Sequence, residues 1–209
     1  MRISPDLSLE MPLWQAGLSR LAGLGEAGRG AWAGPVHPAA VVLPPSGAEL
    51  LAQLPGVRDS KQMTARQRAF WADKIRATAA AWGVGWASNA EIDRQGILPA
   101  TRLAMQRAVA QLGPCPQHLL IDALRLPALA IPQTALVRGD QRSLSIAAAS
   151  VLAKTARDAF MVVLDQEFPA YGFAAHKGYG TQRHRCALEA LGPCPQHRFS
   201  FAPLRLRRI

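Results

Sequence analysis

The sequence predicts an α/β layered domain, and three observations lead there. Short apolar runs at 21–24, 36–43, 118–122 and 133–137 read as strands, and they alternate with segments whose apolar residues recur at helical spacing. The runs are continuously apolar, as strands covered on both faces are. A chain of 209 residues with 49% hydrophobic content is also long enough to bury one sizeable core. One domain spanning 1–209 is expected, with about 1–19 as a lead-in and about 170–209 as a helical, basic C-terminal part.

In the lead-in, Leu9, Met11, Leu13 and Trp14 can cover a core edge, and no function is read there. The strand at 21–24 runs into Gly25-Glu26-Ala27-Gly28-Arg29-Gly30. Glycines there let the backbone approach a ligand closely, and Gly28 and Gly30 flank Arg29 so that bare N–H groups and a guanidinium fork can face one anion. Glu26 stands at the strand end, placed to hold a cation. A Walker-type loop is excluded, because Gly30 is followed by Ala31 and Trp32 where that loop needs Lys and Ser or Thr. A plain glycine-rich turn between strands remains the competing reading.

The second strand, 36–43, ends at Pro44-Pro45, and His37 within it is read as a satisfied strand histidine and not as a ligand. Asp59-Ser60-Lys61 precedes a helix; Lys61 is either a solvated charge or a phosphate contact. Thr64 and Gln67 have capping-box spacing, and Trp71, Ile75, Thr78, Ala79 and Trp82 follow on one helical face. A short strand is expected at 83–88. Pro99 and Thr101 open another helix, with Ala104, Ala108 and Leu112 recurring every four residues beside Met105 and Val109. The strand at 118–122 finishes on Asp122, and the strand at 133–137 leads to Arg138-Gly139-Asp140. The longest helix is expected over 143–168, where alanines at 147–149 and 153 allow close packing and Pro169 stops it. Arg157-Asp158 reads as a surface ion pair or a supporting group, with a structural role favoured. A glycine-hinged segment, His176-Lys177-Gly178-Tyr179-Gly180-Thr181, leads to a last helix at about 181–191.

The net charge of +10 arises from 24 basic and 14 acidic side chains, and only four of the basic ones are lysine. An arginine-heavy excess favours a nucleic-acid partner. Genome base composition could produce the same excess, but not the cluster Arg205-Leu206-Arg207-Arg208. Three cysteines make no disulfide framework, and neither a secretion signal nor a membrane span is read, so a cytoplasmic protein is expected. Leu-Gly-Pro-Cys-Pro-Gln-His occurs at 112–118 and again at 191–197. Cys115, His118, Cys194 and His197 could build a zinc site, and a zinc-stabilised basic RNA-binding module would follow. Gly-Pro after a helix is the more ordinary stop signal, and it is preferred.

Glu26, Asp122 and Asp140 each lie at or just past the end of an expected strand, where strand ends on one edge converge. Carboxylates that close need a positive partner, and hard divalent cations are the usual one. With a basic surface, the combination suggests metal-assisted phosphodiester hydrolysis.

Glu-Ala-Gly-Arg-Gly followed by Ala-Gly-Pro-Val resembles the N-terminal motif of ribonuclease HII, the type 2 ribonuclease H family. The resemblance continues through Ile121-Asp122, Gly139-Asp140, Ser145 to Ser150, Ala153-Lys154, Arg157-Asp158, Tyr171-Gly172-Phe173, His176 to Tyr179 and His197-Arg198 with Ser200-Phe201. It implies the ribonuclease H-like fold, a mixed five-stranded sheet flanked by helices. It also implies an endonuclease cutting 5′ to a ribonucleotide in RNA–DNA hybrids or in DNA duplexes with embedded ribonucleotides, using two Mg2+ or Mn2+ ions. By the same resemblance Gly28, Arg29 and Gly30 read the 2′-hydroxyl, Lys61 touches the nucleic-acid backbone and Tyr179 stacks on the neighbouring deoxyribose. The family begins its motif with Asp; this chain has Gly25 there, which removes the carboxylate that bridges both ions. A weakened enzyme is one expectation, and a non-cleaving binding protein for RNA–DNA junctions is the alternative. A monomer is expected in either case.

Overall fold

The structure is a computed structural model that describes residues 4–205, with a strand order β3-β2-β1-β4-β5 in one sheet. The strands are β1 (Leu21–Ala27), β2 (His37–Val42), β3 (Ala81–Val84), β4 (His118–Asp122) and β5 (Gln133–Leu136). Helices α1 (Glu10–Gln15), α2 (Ala48–Gln53), α3 (Ala65–Thr78), α4 (Asn89–Gln95) and α5 (Ile97–Ala110) precede β4. After β5 come α6 (Leu144–Glu167), α7 (Phe173–His176), α8 (Gln182–Leu191) and α9 (Ala202–Arg205). β1 runs antiparallel to β2 but parallel to β4, and β4 parallel to β5, so the sheet is mixed. The resemblance to a ribonuclease H-like architecture therefore holds in strand count and in strand mixture.

Both faces are covered, which is why the central strands are apolar along most of their length. On one side Val41, Leu43 and Ala39 pack with Leu50, Ile75, Ala148 and Leu152 of α2, α3 and α6. On the other, Ala22, Leu24 and Ile121 meet Met105, Ala108 and Leu112. A third cluster joins the end of α6 to the C-terminal part through Met161, Leu164, Phe173 and Leu188. Helix α6 presses hardest on β1: a Cβ at Gly23 would come within 2.2 Å of the Ser145 carbonyl carbon. That approach is open to glycine alone.

Several expectations shift. Helix α3 ends at Thr78, and Trp82, expected on its buried face, lies in β3 and is 40% exposed. Pairing of Val41 with Trp82 overrides the helical periodicity. The strand expected at 83–88 starts earlier and stops at Val84, with Ala87 making only an isolated bridge to Val36. Helix α4 was not anticipated, although Ser88 and Glu91 close a capping box that its sequence announces. Leu112 falls just past α5 and is buried all the same. The lead-in contributes more than apolar cover: Glu10, fully buried, accepts from Ser143 Oγ (2.6 Å) and Ser145 N (3.0 Å) at the start of α6. Of the Arg205–Arg208 cluster, positions 206–208 lie outside the described residues.

A candidate nucleic-acid cleft at the carboxyl ends of the strands

β1, β4 and β5 run parallel, so their carboxyl ends share one edge of the sheet. Glu26 is the penultimate residue of β1, Asp122 the last of β4, and Asp140 sits in a short turn (Gly139–Gln141) between β5 and α6. Asp122 Oδ1 accepts from Gly139 N at 2.8 Å, which ties that turn to the end of β4. The three carboxylates feel one another. Burial foremost, then the charges of Asp59 and Asp122, push the Asp140 carboxyl up to about 6 against the pull of Lys61. Burial also raises Glu26, opposed by its hydrogen bond from Arg29.

Lys61 Nζ stands 3.9 Å from Asp140 Oδ2, and Arg29 Nη1 donates to Glu26 Oε1 at 3.0 Å. Glu26 Oε2 is buried with no hydrogen-bond partner. An orphaned carboxylate oxygen within a set of mutually repelling oxygen donors fits a hard divalent cation. In the described arrangement, however, no three His, Cys, Asp or Glu side chains are gathered to enclose an ion. Position 25 explains part of this. One step beyond the Leu24–Ile121 pair, Gly25 lies beside Asp122 and faces α6, and a Cβ there would meet Ser150 Oγ at 2.3 Å and the Ser150 backbone N at 3.0 Å. The space where a side chain of residue 25 would begin is taken by Ser150.

An open cleft of about 980 Å3 runs from this edge toward α7. Glu26, Gly28, Arg29, Gly30, Lys61 and Tyr179 all line it. So do Arg68, Lys154, Asp158 and Lys177, none of which the sequence places in the site and of which Asp158 is expected to be structural. Five cations against two carboxylates suit a polyanion. Of Gly25, Gly28 and Gly30, Gly28 (φ +93°) alone combines a left-handed backbone with contact: a Cβ would strike Arg157 Nε. Gly30 faces open space, so only an approaching ligand would demand its missing side chain.

Arg157 and Asp158 do not pair with each other. Asp158 bonds Lys154 (2.7 Å) and Arg68 (3.0 Å), while Arg157 is fully buried. The opposite wall carries Tyr179, whose ring lies 5.6 Å from Lys154 Nζ. Its backbone is held by histidines. Cys194 N donates to His197 Nδ1 (3.0 Å), which leaves His197 Nε2–H to donate to His184 Nε2 (3.0 Å), and His184 Nδ1–H to donate to the Tyr179 carbonyl (3.0 Å). The chain works only with neutral imidazoles, and burial lowers both His184 and His197 to about 4.

The zinc alternative finds no support in this arrangement. Cys115 is exposed and His118 bonds Thr134, whereas Cys194 and His197 are buried against Tyr171 and Phe173. His37, expected to be satisfied, is buried with Nδ1 unpartnered and is lowered by burial to about 4.

The sequence profile of the family described as Ribonuclease HII matches residues 22–204. A ribonuclease HII of Synechococcus sp. (strain JA-3-3Ab) is 56% identical over 204 residues, covering 97% of this chain and 90% of that protein. One of Chloroflexus aurantiacus is 54% identical over 200 residues, covering 96% and 94%. Among solved structures, ribonuclease H2 of Pyrococcus horikoshii superposes with a TM-score of 0.76 at 25% identity, covering 90% of this chain and 96% of that one. Bst-RNase HIII, solved with Mn2+, superposes at 0.66 and 21% identity over 92% of this chain and 70% of that one, and so speaks to the fold.

Proposed function

The chain belongs to the ribonuclease HII family of endoribonucleases, and from that premise we propose that its cleft binds a duplex containing ribonucleotides and hydrolyses the phosphodiester 5′ to a ribonucleotide. The substrate would be an RNA–DNA hybrid or DNA with embedded ribonucleotides, and the protein would act as a monomer. One observation carries the reading: Glu26, Asp122 and Asp140 stand at or just past the carboxyl ends of three parallel strands on one sheet edge, and Glu26 with the Gly28–Arg29–Gly30 turn lines a basic cleft.

The residues divide the work. Gly30, open where a side chain would stand, lets a ribose come close, Gly28 makes room for Arg157 beneath the turn and offers its backbone to the cleft, and Arg29 presents a fork to the 2′-hydroxyl or flanking phosphate. Lys61 offers a charge to the backbone, and Tyr179 a flat apolar face to the adjoining sugar. Glu26, Asp122 and Asp140 would hold Mg2+ or Mn2+, two ions in the full site. Such ions lower the pKa of an attacking water and stabilise the leaving oxygen. Arg29 occupies Glu26 until a substrate competes for the guanidinium.

Gly25 weakens this site at its centre. Losing a ligand worth a few kcal/mol of transition-state stabilisation slows cleavage by at least ~100-fold. The same observation favours a second reading, a junction-binding protein that does not cut, because Ser150 fills the place of the missing side chain while Arg29 and Tyr179 stay in the cleft. A labelled duplex with one ribonucleotide separates the two when affinity and turnover with Mn2+ are both measured. Slow but finite cleavage at the 5′ side supports the enzyme. Tight binding with no turnover above buffer supports the binder, and no preference for the ribonucleotide duplex refutes both.

A further inference from the structure

Two arginines lie under the cleft with no exposed surface, Arg157 on α6 and Arg198 beyond α8. Among the described residues neither makes an ion pair; every hydrogen bond either donates goes to a backbone carbonyl. Arg157 donates through Nε to Pro35 (2.9 Å), through Nη2 to Ala33 (3.2 Å) and through Nη1 to Lys177 (2.9 Å). Arg198 donates through Nε to Gly34 (2.9 Å) and through Nη1 to Arg29 itself (2.9 Å). The neighbouring carboxylates are engaged elsewhere: Asp158 with Arg68 and Lys154, Asp93 with the backbone N–H groups of Phe199 and Ser200.

Burying two guanidiniums without carboxylates is costly, and burial lowers both, Arg198 to about 9 with a further push from the charge of Arg157. A core that needed only filling would use aliphatic side chains at such positions. What the pair achieves is geometric. Their planar forks reach carbonyls of the turn that follows Gly28–Arg29–Gly30, and Arg157 simultaneously holds the carbonyl of Lys177, a non-glycine residue at φ +53° two positions before Tyr179. The Arg157 guanidinium also lies 5.4 Å from the Tyr179 ring and packs against the backbone of Gly28.

We propose that Arg157, with Arg198 as a second brace, is a positioning residue that sets the distance between the ribose-reading turn and the Tyr179 wall, and thereby the preference for a ribonucleotide. This rests on the reading of the cleft as a site for ribonucleotide-containing duplexes. Lysine keeps the charge, but its donors radiate from one nitrogen and cannot span the three carbonyls that the fork reaches through three nitrogens, so Arg157→Lys loosens the spacing and leaves the exposed phosphate contacts alone.

The test compares two duplexes of one sequence, all-DNA and with a single ribonucleotide, by fluorescence anisotropy in EDTA. Arg157→Lys is expected to cut the preference for the ribonucleotide duplex roughly tenfold, the value of one well-placed hydrogen bond. Affinity for the all-DNA duplex is expected to stay within about twofold, since its contacts are to phosphates. A merely structural role would lower both affinities by the same factor. An unchanged preference overturns the proposal. A wild-type protein with no preference overturns the reading of the cleft and the proposal with it. If Arg157→Lys does not fold, Arg198→Lys decides: a comparable fall in preference supports the bracing, and an unchanged one overturns it.

Discussion

Position 25 shows how one side chain can hold two properties at once. Without a side chain there, Ser150 Oγ settles into the gap, and the Ser150 backbone lies at 3.0–3.1 Å from where a Cβ would stand. Restoring the family's carboxylate is therefore more than adding a ligand. Gly25→Asp alone is expected to recover only part of the cleavage rate, because the hydroxyl must rotate away and α6 must yield by a few tenths of an ångström. Gly25→Asp with Ser150→Ala is expected to recover more, and the rate ratio of the two variants on a single-ribonucleotide duplex with Mn2+ checks it. Equal rates would mean that Ser150 offers no resistance. At this scale the sequence also misled. Arg157-Asp158 looks like a pair along the chain, but adjacent helical residues point about 100° apart, so one is buried under the cleft and the other lines it.

Helix α6 is the element on which the site depends. It starts at Leu144, just beyond the turn that carries Asp140, and its first turns lie against β1 at Gly23 and Gly25. Its N-terminus is held twice: Ser143 Oγ accepts from Ile146 N at 3.1 Å, and the Glu10 carboxylate accepts from the buried Ser145 N at 3.0 Å, where the helix dipole favours negative charge. Glu10→Ala leaves the Ser143 hydroxyl and the Ser145 N–H buried without an acceptor, and is expected to cost about 2 kcal/mol in chemical denaturation. Gly23→Ala is expected to be worse, several kcal/mol or no folded protein, because its methyl meets backbone and not a movable side chain. The helix itself was readable from its alanines and Pro169. Its partner in α1 was not, since a glutamate in a lead-in gives no sign that it will be fully buried.

Over the whole molecule, charge and protonation set the working conditions. Arg29, Lys61, Arg68, Lys154 and Lys177 line the cleft, and Asp158 engages two of them. Three to five phosphate contacts would give log K against log salt a slope of roughly −3 to −4.5. Binding at a series of KCl concentrations measures it, and a flat dependence would exclude a phosphate-lined cleft. His37, His184 and His197 are each lowered by burial to about 4, well below the 6.5 of an unfolded histidine. Between those values the unfolded chain binds more protons. The stability these histidines contribute is therefore complete above about pH 6.5 and drains away as pH falls toward 4. Asp140, raised to about 6, and Glu26, also raised by burial, work in the opposite direction, two groups against three. Thermal unfolding followed at pH 7.5 and pH 5 is expected to give a lower Tm at pH 5.

The sequence by itself determined the layered α/β class, the strands at or just past whose ends Glu26, Asp122 and Asp140 stand, and the glycine-flanked Arg29, because periodicity, capping and motif spacing are local properties written along the chain. Tertiary structure alone decided that Ser150 closes the gap at Gly25 and that Glu10 caps α6. It also decided that Arg157 and Arg198 brace two walls whose residues lie more than a hundred positions apart. Those contacts depend on how closely one helix lies on one strand, a distance fixed by packing across the fold and invisible in any window of sequence.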